Sequence, residues 1–552
     1  VTFSRRRFLS QAAPGVLGLL PGCAARDQTT FDEDQLVSAT PEDVRAELQP
    51  EPREAWPAPG EASPFQHGVA SGDPLNDAVI LWTRVTPPSA ATAAIEIEWR
   101  LALDPELEQV IGEGSVRTDA SRDYTAHVDA SGLASGTTYY YQFRALGQTS
   151  LRGRTRTLPT GAVQRLRLGV VSCSNYPGGF FNVYGLLASA DVDLVLHLGD
   201  YIYEYADGTL GVGAAIGRAP EPPREVLTLA DYRLRHAHYK RDLDLQAVHR
   251  QHPFVAVWDD HDVANNAYLG GAENHQSNEG DYALRREAAL QAYREWLPLR
   301  PRVTEAAVYR SFACGELLDL VMLDTRHQAR AAQGNPCNEQ QLGDPARELL
   351  GGEQEAWLGE QLTSSQARGA RWRLIGQQVI FAPLWRSDAG CVVTADNWDG
   401  YSASRERVFN LLDRAGIDNV IVLTGDAHAS WGNDVPRDPF APGAYDPESG
   451  RGSRLVELVT PPLSSPPRGN SEREIRLLNP HVKFSEQQSH GYLLLDVTPE
   501  RAQAEWHLVP TVRQPGAEVT VAASLQTLSG QPWLQSAAAP SVARDRLPAP
   551  AR

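Results

Sequence analysis

Five short apolar runs that break off into polar clusters constrain this chain's fold more than any other feature. Leu168-Gly169-Val170-Val171 runs into Ser172-Cys173-Ser174-Asn175, and Leu194-Val195-Leu196-His197-Leu198 runs into Gly199-Asp200-Tyr201-Ile202-Tyr203. Phe254-Val255-Ala256-Val257-Trp258 leads into Asp259-Asp260-His261-Asp262, Leu320-Val321-Met322-Leu323 into Asp324-Thr325-Arg326, and Val420-Ile421-Val422-Leu423-Thr424 into Gly425-Asp426-Ala427-His428. Runs of this kind are strands buried on both faces, as in sheets covered by helices. Helical patterns over roughly 229–251, 280–296, 353–366 and 404–415 separate them, which makes the region α/β. In open α/β sheets the carboxyl ends of the strands form the ligand crevice. Five polar clusters at five such ends therefore predict one shared site.

Upstream the texture differs. Residues 65–159 show short alternating runs between turn residues, such as Ile95-Glu96-Ile97-Glu98-Trp99-Arg100 and Thr138-Tyr139-Tyr140-Tyr141-Gln142-Phe143-Arg144. This spacing predicts an all-β immunoglobulin- or fibronectin-like sandwich, followed by the α/β domain over 160–515 and a tail over 516–552. Residues 24–64, rich in Pro, Glu, Asp and Ala, read as a linker. Within 1–23, Ser4-Arg5-Arg6-Arg7-Phe8-Leu9 and the apolar run from Ala12 to Leu20 resemble a twin-arginine export signal. Leu20-Pro21-Gly22-Cys23 resembles a lipoprotein processing site with Cys23 as the lipidated residue; simple removal of the signal is the alternative. The expected destination is therefore the periplasm, cell envelope or exterior. Of five cysteines, too few for a disulfide-built scaffold, Cys337 and Cys391 lie in loop-like sequence and are candidates to pair. A net charge of −18 argues against a nucleic-acid-binding surface, which needs a basic face.

The residue types at the strand ends suit metal ions. Carboxylates and phenolate are hard donors, imidazole is intermediate and thiolate is soft. Asp200, directly after Gly199, is placed to bridge two ions, and Tyr203 lies where a tight turn returns it to the same ion. A phenolate ligand needs a strongly acidic metal near neutral pH, since free Tyr titrates near 10, so ferric iron is the natural candidate and the Cys173 thiolate completes its shell. The donor mixture suits iron plus a divalent partner such as calcium better than a structural zinc.

These segments resemble the PhoD-type alkaline phosphatase family and, more distantly, other metallophosphoesterases and purple acid phosphatases. The matching pieces are Phe65–Pro74 with Leu81-Trp82-Thr83-Arg84, then Ser172-Cys173-Ser174, Gly199–Tyr203, Trp258–Asp262, Leu323–Arg326 and Gly425–His428, in order over about 65–500. The resemblance implies a metallophosphoesterase sandwich of mixed sheets flanked by helices. It also implies ferric iron held by Cys173, Asp200, Tyr203 and His428, with one or two calcium ions on Asp200, Asp426 and either Asp260 or Asn265. Cys173 replaces the acid-x-histidine pair common in the wider superfamily and Asp426 replaces a histidine; both departures are those of the PhoD type.

The expected chemistry is hydrolysis of phosphate esters by a water that the cations activate. His261 is the candidate acid for the leaving group, and Arg326 the candidate clamp on phosphate oxygens, with an ion pair to Asp324 as its alternative role. Two other readings stay open: a phosphodiesterase or phospholipase D-like activity of the same fold, and a surface binding protein without turnover. His236, His238 and His249 read as a solvated helix face, His490 as structural, and the loops 206–225 and 436–451 as candidates to shape entry.

Overall fold

The computed structural model describes residues 63–89, 93–300, 308–387, 390–469 and 471–551. The signal at 1–23 with Cys23, and nearly all of the 24–64 linker, lie outside the described residues. Two mixed sheets form the centre. The seven-stranded sheet runs Arg310–Cys314, Leu318–Met322, Trp372–Gln377, Val420–Thr424, Ser453–Val459, Ser430–Pro436, Val482–Glu486. Alternation along its strands divides its side chains between two cores. Leu318, Leu320 and Met322 join a core shared with the other sheet; Val321 and Leu323 join Leu358, Leu362, Phe409 and Leu412 of the helices Gly351–Arg368 and Ser402–Arg414. Both faces are thus apolar, which is why these runs read as continuous in the sequence.

The ten-stranded sheet contains Leu166–Val171, Leu194–His197 and Pro253–Ala256 side by side and parallel. Helices Asn182–Ala188, Leu229–Tyr239, Leu243–Gln251 and Tyr282–Trp296 flank it. The pattern over 229–251 is two helices rather than one. Thr228 and Asp231 form a capping box on the first, and Asp242 caps the second by accepting from the N–H groups of Asp244 and Leu245.

Residues 65–159 are all β, but they do not form a separate sandwich. Val69–Gly72, Ala78–Arg84 and Thr125–Ser131 extend the ten-stranded sheet, with Val69–Gly72 parallel to Pro253–Ala256. The remaining strands, Val110–Thr118, Ile95–Ala102, Thr138–Ala145, Gln148–Thr149 and Gly153–Arg156, form a five-stranded sheet, joined to the first three by one core of residues such as Leu81, Ile97, Ala126 and Phe143. The sequence of Ala78–Arg84 carries the reason: it is apolar on both faces, and Trp82 is buried with its indole N–H donating to the Glu295 carbonyl at 2.8 Å on Tyr282–Trp296. Tyr139 accepts from the Ala134 N–H at 2.8 Å, closing the corner before its strand.

The 516–552 segment is likewise not a loose tail. Thr520–Leu528 pairs antiparallel with Arg501–Val509 and Gln535–Ser536 adds the edge strand, while Leu525, Leu534 and Ala551 are buried. Cys337 and Cys391 form a disulfide. No described helix is long and apolar enough to cross a membrane.

Candidate metal centre

The strand ends converge through backbone conformations that side chains seldom adopt. Cys173, Asp200, Asp426 and His428 have φ of 61°, 55°, 54° and 50°, in the left-handed region that costs a non-glycine residue of order 1–3 kcal/mol. These turns bring the four side chains into adjoining donor groups. Gly199, at φ 108°, permits the approach of neighbouring strand ends: a Cβ there would lie 2.3 Å from the Cβ of Asp259. The buried Asp262 carboxylate then joins the two turns. It accepts from the N–H groups of Asp200 and Asp259 at 3.0 Å, Tyr201 at 3.1 Å and Ile202 at 3.2 Å. Burial raises its pKa to about 7 although all four N–H groups favour the carboxylate.

Donor atoms gather in three overlapping groups, each within 4.8 Å: Cys173, Asp200 and His428; Asp200, Asp260 and His261; Asp259, Asp260 and Asp426. Tyr203 belongs with the first, since its hydroxyl donates to Asp200 Oδ2 at 2.8 Å and lies 3.1 Å from His428 Nε2. Nδ1 of His428 lies 3.0 Å from the Pro466 carbonyl, so the ring donates there and Nε2 carries the lone pair. Burial, with the charge of Arg468 next, lowers His428 to about 3. The neutral imidazole is the form that binds a metal.

The residues present fit cations. Asp259 Oδ2 and Asp260 Oδ1 are buried without a hydrogen-bond partner. Burial and the neighbouring carboxylates hold Asp200 and Asp259 well above the usual carboxylate range, and Asp426 at about 6. So many acids share one desolvated volume only when positive charge neutralises them. Burial and then Asp200 likewise raise Cys173 and Tyr203.

Arg326 supplies part of that charge, and this changes its expected role. It is fully buried. Its Nε donates to Asp259 at 2.6 Å, Nη1 to both oxygens of Asp396 at 2.9 and 3.0 Å, and Nη2 to Asp426 at 2.8 Å, with Asp260 at 3.6 Å. With its guanidinium turned to these four aspartates and no exposed surface, it is a positioning residue here, and its ion pairs are with these aspartates. Only its backbone N–H meets Asp324.

His261 reaches the group through its ring. Nδ1 donates to Glu204 Oε2 at 2.8 Å; burial opposes the charge, but Glu204, Asp200 and Asp260 hold the pKa well above the ordinary histidine value. Of the two alternatives for the third cluster, Asp260 lies in the carboxylate group. The Asn265 side chain instead faces Glu273 at 3.5 Å, while its backbone N–H donates to Glu204.

Sequence reasoning missed Glu204, Asp396 and Ser465. Ser465 Oγ lies 2.6 Å from the Tyr203 hydroxyl oxygen and 2.9 Å from the Cys173 carbonyl, and its single proton serves one of them at a time. His490, read as structural, is 3.0 Å from the Ser465 carbonyl. The histidines of 229–251 are not a solvated face. His236 and His249 are buried, and His249 Nε2 is 2.8 Å from the Tyr201 hydroxyl. Loop 206–225 is tied to the site because Arg235 donates to the carbonyls of Tyr203, Glu221 and Pro222. Loop 436–451 begins at the far end of Ser430–Pro436 from His428, about 20 Å away at strand rise.

Hard donors at the strand ends of two mixed sheets, beside an imidazole held by Glu204, define the site of a metal-dependent type of hydrolase. The PhoD-like phosphatase model matches residues 168–506, and the PhoD-like phosphatase N-terminal domain matches residues 51–159. Alkaline phosphatase D of Bacillus subtilis (strain 168) is 35% identical, over 98% of this chain and 90% of that protein. A solved structure of PhoD aligns with a TM-score of 0.79 at 35% identity, covering 88% of this chain and 94% of that one. The chain belongs to the PhoD-like phosphatase family and is a phosphoric ester hydrolase.

Proposed function

We propose that this phosphatase is exported and works with iron(III) and calcium. The observation that carries the metal reading is the division of donors around Asp200: sulfur, nitrogen and phenol from Cys173, His428 and Tyr203 on one side, and on the other the carboxylate of Asp260 with His261, continuing into Asp259 and Asp426. Cys173, Tyr203, His428 and Asp200 would hold iron, and Asp200, Asp260 and Asp426 calcium, with Asn265 a rim residue. When bound, such ions neutralise phosphate oxygens and activate water.

The chain's own residues do the rest. His261, held by Glu204 and 4.3 Å from the Tyr203 ring, gives its Nε2 proton to the departing alkoxide. Arg326 holds Asp259, Asp396 and Asp426 in register. The exposed Arg468 donates from Nε to the Ala427 carbonyl at 3.2 Å, and its Nη groups are uncommitted among described residues. It is the guanidinium that meets the phosphate.

A cleft of about 520 Å³, bordered by Asn266, Glu273, Gln333 and Asp396, favours a second reading: room for the second ester arm of a phosphodiester, including a phospholipid. The Cys337–Cys391 disulfide and the arginine motif at the amino terminus support passage to an oxidising compartment, by the twin-arginine route and with Cys23 as a lipid anchor. The Tyr139 corner supports an immunoglobulin/fibronectin-like origin for residues 65–159, merged with the 160–515 catalytic region.

Metal analysis of the native protein, with parallel assays on a phosphomonoester, a bis-ester and a phospholipid, tests both readings. Iron with calcium is expected; zinc alone would sink the metal assignment.

A further inference from the structure

The parallel strands that carry the metal centre at their carboxyl ends leave a second cavity at their amino ends. It measures about 430 Å³ and is lined by Asp193, just before Leu194–His197, and by Pro253, which opens Pro253–Ala256. One wall is the helix Leu243–Gln251, which presents Asp244, Ala247 and Arg250 at spacings of three. The opposite wall is the terminal segment around Leu547, Pro548 and Pro550. That segment is fastened down: Tyr140 donates to the Ala549 carbonyl at 2.7 Å, and Gln251 exchanges hydrogen bonds with Ala551 at 2.9 and 3.1 Å.

Four arginines line this cavity, and they divide by partner. Arg156 and Arg544 pair with Asp193, and Arg544 also with Asp191. Arg154 has no carboxylate partner among the described residues. Its Nε donates to the Gln251 carbonyl at 3.0 Å and its Nη1 to that of Pro548 at 3.1 Å. Arg250 makes no hydrogen bond or ion pair to any described residue, and its Nε is buried. Asp244 does not serve them: it forms no ion pair with a described residue, and it lies against Gly185, where a Cβ would come 2.7 Å from Oδ1. Burial lowers the pKa of both Arg154 and Arg250; Asp193, already paired with Arg156 and Arg544, partly offsets this at Arg154, and no described carboxylate does so at Arg250. An oxyanion at Arg250 would relieve that desolvation cost through charge-assisted hydrogen bonds.

We propose that this cavity is a second ligand site for an organic anion with a phosphate or carboxylate head. The head lies at Arg250, and a short apolar body packs on Ala188, Ala247, Leu547 and Pro548. The volume suits a small organic ligand better than a bare ion.

Calorimetric titration of the metal-loaded enzyme tests this with two probes, phenylphosphonate, whose C–P bond is not an ester, and benzoate. At least one probe should bind with an equivalent per chain beyond the one at the catalytic centre. Which probe does so identifies the head group. Arg250→Ala should weaken that added equivalent at least about tenfold, with kcat/KM for p-nitrophenyl phosphate and the competitive inhibition constant of phenylphosphonate unchanged. Arg250→Lys, which keeps the charge, should retain part of the binding. Because Arg250 has no partner to lose, both variants should match the parent in melting temperature. The proposal is overturned if neither probe shows the added equivalent, or if the equivalent survives Arg250→Ala unaltered.

Discussion

Glu204 Oε2 accepts the Nδ1 proton of His261 at 2.8 Å, while Glu204 Oε1 accepts from the Asn265 backbone N–H at 2.7 Å and the Asn274 amide at 2.8 Å. The carboxylate is thereby fixed, and it fixes the imidazole in turn. Its charge and geometry leave Nε2–H free to face a leaving group. Glu204→Gln should therefore lower kcat about ten- to hundredfold with little change in KM. The loss should depend on the leaving group: small for p-nitrophenyl phosphate, which needs no proton, and large for an alkyl phosphate, which does. Equal losses on both substrates would reject His261 as the acid.

Ser465 lies against two proposed iron ligands, at the Tyr203 hydroxyl and the Cys173 carbonyl. Groups behind metal ligands commonly tune affinity by about ten- to a hundredfold. Ser465→Ala should weaken iron retention by that order, measured as metal content after dialysis against a chelator. Tyr203→Phe should go further and remove the visible phenolate-to-iron absorption, whereas Asp260→Asn should leave the band and lower calcium content. A colourless, iron-loaded parent would contradict the phenolate ligand.

The strand ends were legible in the sequence because the signal is local: an apolar run that stops at Gly-Asp or Asp-Asp-His-Asp is visible without knowing its neighbours. The clusters that contain Cys173, Asp200, Asp260, Asp426 and His428 were legible that way, the family resemblance singles out these residues within them, and their donor atoms do meet. Ser465 was not, because Pro-Pro-Leu-Ser-Ser-Pro-Pro reads only as a loop, and the serine matters through a contact 262 residues away in sequence. Arg326 was found, but its role was not, since a guanidinium's partners depend on which aspartates arrive from other strands. The sheet that joins residues 65–159 to the catalytic region escaped for the same reason. Alternation predicts a strand, and pairing with Pro253–Ala256 is a property of the whole fold.

Arg326 sits among Asp259, Asp260, Asp396 and Asp426 with no exposed surface. Removing one member of a buried ion network costs about 3–5 kcal/mol, mostly from the charges left behind. Arg326→Ala should unfold early in chelator, and added metal should restore much of the melting temperature by supplying positive charge to the same carboxylates. The parent should show a smaller metal-dependent shift. If metal shifts the two proteins equally, Arg326 and the cations do not share these carboxylates.

Thr520–Leu528 covers an edge of the ten-stranded sheet that would otherwise present unpaired backbone groups. It also buries Leu525, and the segment beyond it buries Leu534. A chain cut after Pro515 should therefore be recovered mainly as aggregate, despite retaining every residue of the metal centre. A soluble truncation with the parent's melting temperature would make the segment dispensable.

Stability should fall with acid because several histidines are buried neutral. Burial lowers His197, His236 and His252 to about 3, against an unfolded value near 6.5. Between those limits the unfolded chain binds a proton that the folded chain refuses, so stability is full above about pH 6.5 and drops as the pH falls below it. Each such histidine contributes at most about 1.4 kcal/mol per pH unit to that slope. His236 isolates the effect, since neither ring nitrogen has a hydrogen-bond partner and the ring lies 6.1 Å from that of Tyr201 and 6.4 Å from that of Trp296. His236→Phe keeps a ring there and removes the proton acceptor. Urea unfolding at pH 7.5 should show little change, while from pH 6 to pH 4 the variant's stability should fall less steeply than the parent's by about one proton's slope. Parallel acid limbs would mean that His236 titrates alike in the folded and unfolded chain.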